Sequence, residues 1–216
     1  DAVEQVNVIY SNAAALVIPL VKALMGDAYV IYSCAFIIVQ LVLLWTHASS
    51  LLQGSSALDW KKVLTNINMI AIAAGALLYW FRVVLPAPLQ NTMSTVGNMM
   101  GPMGMLLAGM AIAEKPLREV FCTRRNYLPT VLRLVVCPLV VLVLLWVCHA
   151  PSWVADGKNI LMTVYLAAIT PACATVTSMA QLYDRDAAHS SALYVLTTLL
   201  SIVSMPVMIG LFDLLL

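Results

Sequence analysis

Charge is scarce in this sequence: Asp, Glu, Lys and Arg together make up 10% of its 216 residues. A soluble domain of that length carries roughly a quarter charged residues, so a water-exposed surface is excluded. The mean hydropathy of +0.95 places the chain among integral membrane proteins. Its net charge of +1 gives no reason to expect a nucleic-acid partner. Five cysteines (Cys34, Cys122, Cys137, Cys148, Cys173) show neither CxxC nor Cys/His spacing and read as small helix residues, with no metal or cofactor implied. HExxH, GxSxG and paired intramembrane aspartates are all missing, and no His lies near a mid-span Ser, so an enzyme is not expected. His47, His149 and His189 sit at span ends, and Asp213 is near the end of the last span, so no proton-relay group is expected at the centre of the bilayer. The opening DAVEQVN lacks a basic n-region and is not a signal peptide. A start at Asp suggests that further residues precede it.

What is abundant is apolar sequence. A membrane span needs about 20 such residues, and segments near 7–25, 28–47, 63–85, 92–113, 128–149, 159–182 and 190–213 qualify. The expected fold is therefore all-α and integral to the membrane, with seven transmembrane helices. The connections 48–62 and 114–127 fall on one side with Lys61, Lys62, Lys115, Arg118, Arg124 and Arg125. Arg185 and a snorkelling Arg133 bring that side to eight basic residues, against Lys22, Arg82 and Lys158 on the other. The positive-inside rule then puts Asp1 in the cytoplasm and Leu216 outside. That polarity is opposite to receptors and retinal proteins, and 190–213 has no Lys for a Schiff base.

Shifted by 159 residues, 12–28 (NAAALVIPLVKALMGDA) lies over 171–187 (PACATVTSMAQLYDRDA) with five identities, and each stretch reads as an irregular helix, an acidic turn and a plain helix. If 63–216 is one complete five-helix unit, 1–47 is the last pair of a preceding unit and 48–62 a cytoplasmic linker. An odd-numbered unit must insert upside down in its second copy, which is the inverted-repeat plan of secondary transporters.

Polar residues interrupt these apolar runs in a few places. Asn12, beside Ser11, and Pro19 bracket the centre of the first span, and Thr170 and Pro171 sit at the centre of the sixth, followed by Thr175, Thr177, Ser178 and Gln181. A proline suits the first turn of a helix, so Pro19 is expected to start a half-helix whose positive end faces the interior. Two such breaks would offer amino-terminal ends to an anion and carbonyls to a cation. The competing reading is that these are ordinary kinks and back-bonded hydroxyls. In the fourth span, Gly97–Gly101 fits GxxxG for close packing, and Asn98 is a candidate for the pocket. Asn66, Asn68 and Gln40 are expected to bond between helices.

SNAAALVIPLVKALMG resembles the fourth helix of the auxin efflux carrier family, where an Asn is followed by Ile-Pro-Leu and a Gly-terminated turn, here Asn12, Ile18, Pro19, Leu20 and Gly26. DWKKVLTNINMIAIAAG, GNMMGPMGMLLAGMAIA and TPACATVTSMAQLYDRDAAHSSALYVLTTLLSIVSMPV are similar to its sixth, seventh, and ninth and tenth helices. Val17 departs from the pattern, standing where many members have Gly. The resemblance implies a ten-helix carrier of two inverted five-helix repeats, with the first three helices absent here and broken helices four and nine crossing at Pro19 and Pro171. It implies a small organic anion as substrate, a mono- or dicarboxylate such as malate or malonate or an auxin-like acid, moved across the cytoplasmic membrane by an elevator-like motion, with a homodimer among the assemblies it allows. The alternative is a seven-helix receptor or assembly subunit that transports nothing.

Overall fold

In hydrocarbon every backbone polar group must be satisfied within the protein, which drives a chain of this composition into helices. The fold is seen in a computed structural model, which describes residues 1–54, 65, 67–99, 116–153 and 155–216, with positions 102, 103, 106, 109, 110 and 113 between them. The elements are α1 (Ala2–Ile9), α2 (Ala13–Leu24), α3 (Asp27–Gln53), α4 (Ile67–Trp80), α5 (Ala87–Asn98), α6 (Leu117–Cys122), α7 (Arg124–Val147), α8 (Gly157–Ile169), α9 (Ala174–Leu182) and α10 (Ala187–Leu215).

Three of these, α3, α7 and α10, are 27, 24 and 29 residues long and apolar enough to cross a bilayer unbroken. The first and sixth expected spans are instead pairs of half-helices, α1–α2 and α8–α9. The second span runs on to Gln53 through a π-helical turn at Leu44–Ala48, so the first residues of the expected 48–62 linker are helical. Gly54, at φ +70°, ends it. The third span corresponds to α4 and the start of the fourth to α5. Gly101, Gly104, Asn66, Lys61, Lys62, Lys115 and the side chain of Asn68 lie outside the described residues.

Sequence signals account for the ends. Asp1 accepts from the Val3 amide and Asp186 from the His189 amide, each capping orphan donors at a helix start. Gly26 turns α2 into α3 at φ +92°, a conformation that strains any residue with a Cβ.

Two apolar clusters hold the halves together. Val3 and Val6 of α1 and Tyr10 just after it pack with Leu44, Ala48 and Leu52 of α3 and with Val176 and Met179 of α9. Val17 and Val21 of α2 pack with Tyr165, Leu166 and Ile169 of α8, Leu142 of α7, and Met208 and Phe212 of α10. The first half of one broken helix thus lies beside the second half of the other. Large apolar side chains such as Val39, Val140, Leu144, Ile202 and Val203 stay exposed, as a lipid-facing surface requires.

Charge collects at two ends. Arg125 pairs with Asp1 and Glu4, His189 Nε2 lies 3.2 Å from Glu4, and Arg185 donates to the Leu52 carbonyl. At the opposite end Lys22 pairs with Asp27, Lys158 with Asp213, and the Tyr29 hydroxyl donates to Asp156.

Candidate functional site

The site is the place where the two broken helices cross. After Ile9 the chain extends, with Tyr10 at φ −96°, ψ 124°, and helix resumes at Ala13. After Ile169 it extends again, with Thr170 at φ −67°, ψ 153°, and helix resumes at Ala174. The second break follows from Pro171, which pushes the residue before it out of the α region. At the first no proline is present. Ser11 and Asn12, residue types that compete with helix for backbone bonds, take its place.

Ser11 and Ala172 face each other as an antiparallel bridge. The Asn12 amide donates to the Pro171 carbonyl (2.8 Å) and the Cys173 amide to the Tyr10 carbonyl (3.2 Å). Each bridge residue is also held by the plain helix that follows its own broken one. The Ser11 hydroxyl donates to Oε1 of Gln40 of α3 (2.6 Å), and Gln40 Nε2 donates to the Ser11 carbonyl. Thr197 of α10 accepts the Ala172 amide (3.2 Å). The Tyr10 hydroxyl, 2.9 Å from both the Leu43 carbonyl and His47 Nδ1, ties the first break to α3 as well.

Pro19 is not at the crossing. It lies inside α2, seven residues into an intact half-helix, where its missing N–H removes one bond without opening the chain. The amino-terminal end that faces the centre is that of Ala13, with Asn12 as its cap residue. The expectation that Pro19 starts the half-helix is therefore corrected to Asn12.

Ser11, Asn12, Thr170 and Pro171 are brought together and are all buried. Thr170 spends its hydroxyl on the Ala167 carbonyl (2.9 Å). Asn12 is 7% exposed, and its side chain caps nothing in α2. Thr175 lies half-buried in the first turn of α9, whereas Gln181 is exposed near its far end. Asn98 closes α5, none of whose residues is buried, and is not among the residues that meet here. A polar line continues from the crossing toward the Glu4 end: Asn7 donates to Ser190 (3.0 Å), whose hydroxyl lies 3.1 Å from that of Thr177.

The unexpected member is Arg133. Instead of snorkelling, it is 4% exposed, inside a π-helical turn of α7 at Leu132–Val136. Such turns add a residue to the coil and re-aim the side chains within it. Its Nε donates to the Thr170 carbonyl (3.1 Å), Nη2 to Thr170 (2.9 Å) and Ala168 (3.0 Å), and Nη1 to Val8 (3.1 Å) and Ile9 (3.4 Å). One guanidinium thus ties together the carboxyl-terminal ends of α1 and α8. Among the described residues no carboxylate pairs with it.

Bilayer-length apolar helices around two crossing discontinuous ones define a multi-pass membrane protein, and the discontinuity at its centre is a feature of transporters. The chain belongs to the membrane transport protein family, that of the auxin efflux carriers, whose family model matches residues 57–209, well over half the sequence. This is a family of transporters, not of enzymes. The match takes in Arg133, α8 and α9. No curated protein and no solved structure matches the chain.

Proposed function

We propose that this protein is a secondary carrier for a small organic anion, and that the anion's carboxylate binds at the crossing, between the amino-terminal ends of α2 and α9. The observation that carries this reading is the pairing of the two breaks. It sets the starts of two half-helices, neither capped by its own side chain, on either side of one antiparallel bridge. Each such end carries roughly half a positive charge and unpaired N–H groups, which is what a carboxylate needs. The Asn12 side-chain amide, on a buried residue beside them and not used to cap α2, supplies a side-chain donor. A mono- or dicarboxylate of the size of malonate or malate, or an auxin-like acid, suits this chemistry.

The rest of the architecture follows the same reading. Residues 1–47 supply the last two helices of one five-helix unit and 63–216 the five helices of an inverted second, related through the bridge. The bridge supports this: adding 161 takes Asn12 to Cys173, each the residue before a half-helix, and exchanges the two bridge hydrogen bonds. The end holding Arg124, Arg125 and Arg185 faces the cytoplasm, by the positive-inside rule.

The test is uptake of labelled malonate, malate and indole-3-acetate into proteoliposomes holding the full chain. Uptake of at least one, saturable and competed by the unlabelled acid, is expected. Inertness toward all three would contradict the reading and favour a receptor or assembly role.

A further inference from the structure

We propose that Arg133 is a built-in cation that fixes the crossing's sign of charge, making it selective for an anion and leaving no vacancy for a coupling cation; the anion half of this proposal rests on the function proposed above. Two helix carboxyl ends meeting inside a membrane carry roughly half a negative charge each and present carbonyls without helical partners. Left alone, such a pair is a ready cation site. Here both are already taken. Among the described residues, the hydrogen bonds Arg133 makes all go to carbonyls, those of Val8 and Ile9 of α1 and those of Ala168 and Thr170 at the end of α8. These five contacts engage all three guanidinium nitrogens, so the group is committed to backbone carbonyls rather than to a substrate.

The charges then balance in an informative way. Two carboxyl ends of roughly −0.5 each are offset by one guanidinium, and the two amino ends at Ala13 and Ala174, roughly +0.5 each, remain. Without the arginine the four ends sum to about zero and the carbonyls are the ungratified groups. With it the centre is positive by about one charge. Arg133 is thus a positioning residue: it acts on the anion through the field and through the placement of the two half-helices, and touches no substrate itself. Its burial beside backbone, with no carboxylate partner described, has no other compensation in view.

The experiment is a set of thermal melts of the full chain in detergent, with choline chloride holding ionic strength constant. Malonate, sodium and methylguanidinium are the probes. For the wild type, sodium in place of choline should leave Tm unchanged, and malonate should raise it saturably. Arg133→Ala should melt lower, regain stability saturably with millimolar methylguanidinium but not with urea, and bind malonate about tenfold or more weakly. Arg133→Lys, which keeps the charge and loses two donors, should melt lower yet keep most of the malonate response. A saturable sodium stabilisation of the wild type would overturn the proposal. So would an Arg133→Ala variant that methylguanidinium does not rescue but that binds malonate as the wild type does, the pattern of a merely structural residue. If Arg133→Ala does not fold, the Lys variant decides: loss of the malonate response with the charge retained would overturn it. If malonate shifts nothing in the wild type, the carrier reading is the one damaged, while sodium and methylguanidinium still judge the cation's place.

Discussion

Gln40 and Thr197 carry no charge, yet each holds one side of the bridge on which the crossing depends. Gln40 meets both the hydroxyl and the carbonyl of the buried Ser11, and Thr197 meets the amide of the buried Ala172. A buried backbone group left without a partner costs about 1–3 kcal/mol. Gln40→Leu and Thr197→Val should therefore each destabilise the full chain by about that much, Gln40→Leu more because two groups lose their partner. Chemical denaturation in detergent measures it, and two variants as stable as the wild type would mean the bridge is held otherwise. Residues of this kind differ in how visible they are in sequence. Asn12, Thr170 and Pro171 stand out as polar or helix-breaking residues in apolar runs, and Gln40 shows its need for an interhelical partner. Arg133 does not, because an arginine near a span's end ordinarily reaches for the interface, and its actual partners are backbone carbonyls, which leave no mark on a residue string.

At the scale of elements, the clearest lesson concerns where a helix breaks. Proline is the strongest sequence signal for a break, and at Pro171 it tells the truth. At Pro19 it misleads, because the helix absorbs the loss of one bond while the chain opens at Tyr10–Asn12 on a Ser-Asn pair that is weaker as a signal. Because α2 with its turn spans 15 positions from Asn12 to Asp27 and α9 with its turn spans 13 from Cys173 to Asp186, no single offset fits both landmarks: 159 aligns the acidic turns at Asp27 and Asp186, and 161 aligns the breaks. Placing Pro19 inside α2 reverses what its removal should do. Proline in a helix interior costs about 3 kcal/mol relative to Ala. Pro19→Ala should raise the melting temperature and preserve transport per folded molecule, since the crossing keeps its opening. A variant that folds but no longer transports would return Pro19 to the site.

For the whole molecule, the long apolar spans were legible from hydropathy alone, and the two clusters of ion pairs now separate one end from the other. The break in the sixth span was legible too. The pairing of α1 with α9 and of α2 with α8 was not, because it rests on apolar contacts among interchangeable Val, Leu and Ile side chains. One helix long and apolar enough to cross a bilayer, α7, runs between the exposed Cys122 and Cys148, and the proposed topology puts the two thiols on opposite faces of the membrane. With the Arg-rich end in the cytoplasm, an impermeant maleimide added outside intact cells should reach Cys148 and spare Cys122. Labelling of Cys122 in intact cells would reverse the orientation without disturbing the fold.

The central claim is that the crossing binds the transported carboxylate, and Asn12 tests it most directly because the residue is buried there and its side-chain amide does not cap α2. Asn12→Ala removes that amide and breaks no side-chain bond described in the structure, so its effect on stability should stay within about the 1 kcal/mol typical of a lost cap. The measurement is the uptake rate of the labelled carboxylate per folded molecule, in proteoliposomes, for the full chain with and without the change. The account predicts a rate reduced about tenfold or more with an unchanged melting temperature, the loss expected when a charge-assisted hydrogen bond of about 1.5–3 kcal/mol is removed. An undiminished rate in Asn12→Ala would contradict it and move the substrate away from the crossing.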